Sequence, residues 1–198
     1  MTMFSAPLVL LEPHMHSNRL ALYSQRMAAI TLVFIVAMMV INAAAWLFPS
    51  VASQYGLGFA LTERQLSSLS DGATGATGWQ CLGGIFLSSI PLLALASGLA
   101  NLRKLFKRYA QGQYFSSEAA VYLGKAGRAV ALWVLLDFLC EPFLSLLMTI
   151  NAPVGQRLLT LSITAPSFVA LFLAACIAII ARILSQASEV DSENRTFV

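Results

Sequence analysis

Apolar and polar positions along this chain fall into long blocks rather than short periods. No charged residue lies between Arg26 and Glu63, and the apolar core of that interval is 27–48. A second uncharged interval separates Asp71 from Arg103, with its core at 79–100. A third block, 129–150, contains two carboxylates, and a fourth, 163–184, carries Arg182 near its end. About 20 apolar residues in helical form cross about 30 Å of hydrocarbon, so each block is long enough to span. Helix is the form required, because an isolated strand leaves its backbone groups unpaired in lipid. Pro91 and Pro142 kink such helices without ending them. The blocks predict an all-α integral membrane protein, one membrane domain over 1–198 with four transmembrane helices. An outer loop covers 49–78. A cytoplasmic helical hairpin, 101–128, joins spans two and three, and a cytoplasmic tail covers 185–198.

Composition agrees. The chain has 198 residues, 58% hydrophobic and 11% charged, where a soluble domain has about 25% charged. With both termini cytoplasmic, ten of the twelve Lys and Arg lie inside and only Arg64 and Arg157 outside, a strong positive-inside bias. Trp46 and Trp79 then fall at the outer interface, where aromatic belts form. Ala43, Ala44 and Ala45 resemble a cleavage site, but the first block is longer than a signal-peptide core and follows a long leader, so it reads as a retained span. Cys81, Cys140 and Cys176 lie in apolar runs without Cys-x-x-Cys spacing and read as small hydrophobes.

The connections carry local signals. In "LTERQLSSL", Thr62 is placed to cap a short helix over 63–69, with Gln65 at its third position and a Leu61–Leu66 staple; Asp71-Gly72 would end it. "NAPVGQR" reads as a turn. In the hairpin, Leu102, Leu105, Phe106 and Tyr109 recur at helical spacing opposite Arg103, Lys104, Lys107 and Arg108. Gly112 stops that helix. Ser116 or Ser117 caps the next, Glu118 complements its dipole, and Phe115 folds back onto the first arm. Arg103, Lys104, Lys107, Arg108, Lys125 and Arg128 set topology and are candidates for contact with anionic lipid headgroups or with a partner. The acidic tail, with Glu189, Asp191 and Glu193, lies on the same side and is expected to dock on this basic hairpin.

The hairpin "LRKLFKRYAQGQYFSSEAAVYLGKAGR", the loop "NAPVGQR" and the C-terminal "ASEVDSENRTFV" together resemble the small bacterial membrane proteins grouped as domain of unknown function 2975. The resemblance runs from about Met27 to Val198, with Gly112, Phe115, Ser116, Glu193, Asn194, Phe197 and Val198 fitting in order. It implies a four-span protein of the bacterial inner membrane. Regulators of the helix-turn-helix type encoded beside some members hint at a cytoplasmic regulator as partner. The family carries no established activity, so no catalytic residue is transferred.

Catalytic, cofactor and metal constellations are not found in the residue pattern. No His-Glu-x-x-His and no Gly-x-x-x-x-Gly-Lys occurs, and the histidines, His14 and His16, lack further ligands. Ser88 and Ser89 have no base nearby in any span. Ala170, Ala174 and Ala178, and Ala94 with Gly98, form small-residue stripes suited to close helix packing.

The polar residues inside the spans therefore carry the question. In "LWVLLDFLCEPFLSLL", Asp137 and Glu141 are four apart and share a helical face with Trp133 and Cys140. At about 1.5 Å per residue they lie about 12 and 18 Å from the cytoplasmic entry of span three. A lipid-facing charge at that depth costs about 2.5–3.5 kcal/mol, so the face points inward. Glu141 is expected to hydrogen-bond to Asn42 of span one or a serine of span two, and Asp137 to pair with Arg182. The alternatives are a sensing switch and a proton or cation pathway, which intramembrane acids also mark. The first reading is a non-enzymatic regulatory or signalling partner acting through hairpin and tail, in a lipid bilayer and without direct nucleic-acid contact. The second is a small transport or proton-conducting component.

Overall fold

The computed structural model describes residues 12–56, 58, 61–63, 65, 78–112, 116–151, 159–162 and 164–196, with side chains between 21 and 190, Ser53 excepted. Its helices are α1 (Glu12–Leu47), α2 (Pro49–Tyr55), α3 (Gly78–Ala110), α4 (Ser117–Thr149) and α5 (Ala165–Thr196), and no strand occurs among the described residues. Four stretches are long and apolar enough to cross a membrane: Ala21–Leu47, Gly78–Ala110, Ser117–Thr149 and Ala165–Val190.

The helices pack in chain order. α1 packs on α3, α3 on α4 and α4 on α5, and α2 rests on α1. On α1 the buried residues Ala28, Thr31, Met38, Asn42 and Ala45 are spaced by three, four or seven, the seam of helices crossing at a shallow angle. Close approach comes from glycine. A Cβ on Gly98 would stand 2.8 Å from the Cβ of Ala129, and one on Gly84 would stand 2.6 Å from the ring of Trp46. On α5 the seam passes from Ala174 to Ala181, both buried, and leaves Ala178 exposed. The small-residue stripe therefore departs from a strict interval of four, because a helix keeps one seam against its neighbour only by mixing steps of three and four.

The sidedness of α4 is the reverse of a soluble helix. Leu132, Leu135, Leu139, Phe143 and Leu146 are exposed, while Asp137, Glu141 and Ser145 are buried. An apolar exterior of this kind suits lipid as solvent.

At the basic end, α3 stops at Ala110 and Gly112 adopts φ +79°, the left-handed conformation that glycine enters without penalty. Ser116 is the N-cap of α4, its hydroxyl accepting from the Ala119 amide at 3.2 Å. Arg108 bonds Glu118 at 2.6 Å, and the Lys104 ammonium lies over the Tyr122 ring, 5.9 Å from its centroid. The two arms are thus tied across the turn; Phe115 lies outside the described residues. Ser116→Ala is expected to cost about 1 kcal/mol, read as about fivefold faster hydrogen exchange at the Ala119 amide. Unchanged exchange there would show that the cap is idle.

Two elements differ from expectation. α2 lies inside what reads as plain loop. Pro49 opens it, and Gly56, at φ +61°, closes it, so the proline-first, glycine-after signature was present. Thr62 is itself helical, as are Leu61, Glu63 and Gln65. Its hydroxyl donates to the side-chain oxygen of Asn42 at 2.6 Å, so it ties this segment to α1. Leu66, the remainder of 63–69, Asp71-Gly72 and most of "NAPVGQR" fall outside the described residues.

Candidate functional site

Asp137, Glu141 and Ser145 lie at successive intervals of four on α4, all buried. Pro142 sits inside the helix beside them. Residues 159–162 are non-helical and run back along this face before α5 begins at Ala165. The Thr160 amide donates to the Ser145 hydroxyl at 3.2 Å. The Ser162 amide donates to Glu141 Oε2 at 3.1 Å and the Ser162 hydroxyl to Oε1 at 2.6 Å. The spacing explains the fit. Two residues of extended chain advance about 6.6 Å, and four residues of helix about 6.0 Å. Side chains four apart on α4 therefore meet alternate amides of an extended neighbour. Ser145 completes the arrangement by donating to the Pro142 carbonyl at 3.0 Å. Leu159 and Leu161 are exposed, and Thr160 and Ser162 are exposed beside them despite these bonds. Non-helical backbone is tolerated at membrane depth only where its polar groups find protein partners, and Glu141 and Ser145 are those partners.

The height of α5 beside this clasp is read from its packing on α4. Gly127 of α4 lies against Ala174 and Ile177, and Gly124 against Ala181. Counting at about 1.5 Å per residue places Asp137 level with the first turn of α5. α5 therefore sits about 15 Å nearer the basic end than a helix flush with α4 would. Arg182 is exposed and lies near Gly124, about 20 Å along the axis from Asp137. The expected Asp137–Arg182 pair is therefore not formed; the antiparallel register separates the two. Asp137 instead lines a cavity of about 220 Å³ with Phe138, Ser162, Ser167 and Phe168. At its edge the Thr164 and Ser167 hydroxyls are 3.0 Å apart.

Asn42 belongs to a different network. Its amide nitrogen donates to the Ser88 hydroxyl at 3.0 Å, and its oxygen accepts from Thr62. Trp46 Nε1 also donates to Ser88, at 3.1 Å. The expected Asn42–Glu141 bond is replaced by one to span two, the alternative serine partner going to Asn42 instead of Glu141. Trp46 is 1% exposed, so it is a core residue and not part of an interfacial belt; Trp79 is exposed. At the far end of α4, Gln80 Nε2 donates to the Leu147 and Met148 carbonyls at 3.1 and 3.2 Å, satisfying acceptors that a helix terminus leaves open.

Sequence reasoning missed Ser162, Ser145 and Gln80. The period-two alternation of Leu159, Thr160, Leu161 and Ser162 was the available signal for an extended segment. Of the six basic candidates, Lys104 and Arg108 are engaged within the hairpin as described. Lys125 and Arg128 are exposed, and Arg128 Nε donates to the Gly124 carbonyl at 3.4 Å. Arg103 and Lys107 face a cleft toward α1. The three cysteines are free thiols. Among the described residues no cluster of His, Cys, Asp or Glu could hold a metal ion; the side chains of His14 and His16 are outside that set.

A helical array that buries carboxylates and amides while exposing its leucines defines a multi-pass membrane protein. Over residues 23–198 the chain matches the family described as protein of unknown function (DUF2975), and it belongs to that family. No curated protein and no solved structure matches it.

Proposed function

We propose that the protein is a non-enzymatic regulatory or signalling partner in the bacterial inner membrane, acting through the hairpin at its basic end and the C-terminal tail, 185–198. The observation that carries this reading is the use made of Glu141. Both its oxygens accept from Ser162, so the deepest carboxylate anchors a backbone segment. The basic end faces the cytoplasm under the positive-inside rule, with both termini on that side. There α5 continues as helix to Thr196, so much of the tail prolongs a span. Docking of Asp191 and Glu193 on the hairpin concerns side chains outside the described set. A cytoplasmic regulator or another membrane protein is the partner, and direct nucleic-acid contact is not part of the reading.

Photo-crosslinkers at the exposed positions Gln111 and Lys125 are expected to capture one and the same protein in living cells. A crosslinker at Tyr55, exposed at the opposite end, is expected not to. The same captured background from all three positions would sink the proposal.

A second reading, transport or proton conduction through Asp137 and Glu141, draws on the cavity beside Asp137. In proteoliposomes the regulatory reading predicts no flux above protein-free vesicles. Acid-dependent flux that disappears in Asp137→Asn/Glu141→Gln would replace the first reading with the second.

A further inference from the structure

The four basic residues that end α3 divide into two pairs. Lys104 and Arg108 turn toward α4, to Tyr122 and Glu118. Arg103 and Lys107, one helical turn apart, line a cleft of about 340 Å³ on the α1 side, with Gln25, Ala28 and Gln111. Among the described residues that line it there is no carboxylate. Arg103 Nε is buried and has no hydrogen-bond acceptor. A guanidinium nitrogen in that condition is costly, and a bound anion would relieve the site.

The position of the cleft identifies the anion. Arg103 is the first charge after the uncharged run that follows Asp71, and Arg26, beside Gln25, is the last charge before the uncharged run of α1. The cleft therefore stands where both helices leave hydrocarbon for headgroups. Its wall includes Ala28 and Ala29 of α1, an apolar border that a lipid tolerates and a free anion does not use. Arginine offers a planar fork for phosphate oxygens and lysine a point charge, and the Gln25 and Gln111 amides add neutral donors.

We infer that this cleft holds the phosphate headgroup of an anionic phospholipid, contacted by Arg103 and Lys107. The site goes beyond the proposed regulatory role and stands whether or not the hairpin recruits a protein.

The test uses the full chain in detergent micelles, with phosphatidylglycerol and phosphatidylcholine compared by native mass spectrometry. Wild type is expected to retain phosphatidylglycerol in preference to phosphatidylcholine. Arg103→Gln/Lys107→Gln is expected to weaken that retention about 30-fold, the factor for two basic contacts at about 1 kcal/mol each. Lys104→Gln/Arg108→Gln, which removes the same charge from the other face, is expected to change it less than about threefold. Equal losses from both pairs would overturn the site in favour of diffuse attraction. Displacement of the lipid by millimolar inorganic phosphate would overturn the lipid assignment in favour of a free anion. A photoactivatable phosphatidylglycerol headgroup, applied to wild type, supplies a readout that needs no variant to fold. It is expected to label the peptides carrying Gln25 and Gln111, and labelling confined to the peptide with Lys125 and Arg128 would also overturn the inference.

Discussion

Replacing Glu141 with leucine is expected to lower the stability of the full chain by about 3 kcal/mol. The substitution keeps helix propensity and removes an ionisable group from the interior of a span, so insertion scales alone predict a gain. The structure predicts the opposite sign. The Ser162 amide and hydroxyl both donate to this carboxylate, and leucine leaves both donors without their acceptor. A hydrogen bond is worth about 0.5–1.5 kcal/mol net, and each donor left unpaired against lipid adds a desolvation cost of its own. Glu141→Gln retains one acceptor oxygen and presents an amide nitrogen to the other donor, so its stability is expected to lie between wild type and leucine. Thermal midpoints in a single detergent give the order. Hydrogen exchange at the Ser162 amide gives the location, rising in both variants and most in leucine. A leucine variant as stable as wild type would show that residues 159–162 are held by something other than Glu141.

Trp46→Ala is expected to have the second large effect, about 3–5 kcal/mol, the usual cost of emptying a large aromatic site. Trp46 lies over Gly84 with no room for a β-carbon between them, and it shares an apolar cluster with Ala52, Leu61, Cys140 and Leu144. In a membrane this packing is a principal cohesive force, because lipid tails are as apolar as the side chains they meet. Trp46→Phe separates the two contributions. It keeps an aromatic ring on Gly84 but loses the donor to Ser88, and its expected cost is about 1 kcal/mol. Equal losses from Phe and Ala would mean that the indole nitrogen, and not the ring, is the important part.

What was legible in the sequence follows from range. The apolar blocks are legible because insertion depends on composition summed over about 20 residues. Gly112 and Ser116 are legible because a helix stop and an N-cap are decided within a few positions. The partner of Glu141 is not of this kind. Ser162 is 21 residues away, and nothing local states that the chain returns along α4 after its turn. The expectation of Arg182 rested on charge complementarity with the two spans taken as flush. Register is a property of two surfaces, and here Gly124 and Gly127 against Ala174, Ile177 and Ala181 decide it. Thr62 shows a further limit. It carries a capping-box pattern, yet it lies buried within a helical segment and its hydroxyl donates to the buried Asn42 oxygen, a partner 20 residues away that no local pattern announces.

The order in which the helices pack bears on biogenesis. Each spanning helix packs on the spanning helices next to it in the chain. A chain emerging from its amino terminus thus finds a template already in place for every span after the first, and only α1 waits in the bilayer for its partner. The clasp at Glu141 closes only a short loop, which keeps its entropic cost small. Assembly in the order of translation follows, with α5 joining last and, having the least enclosed surface, also leaving first when the fold is strained.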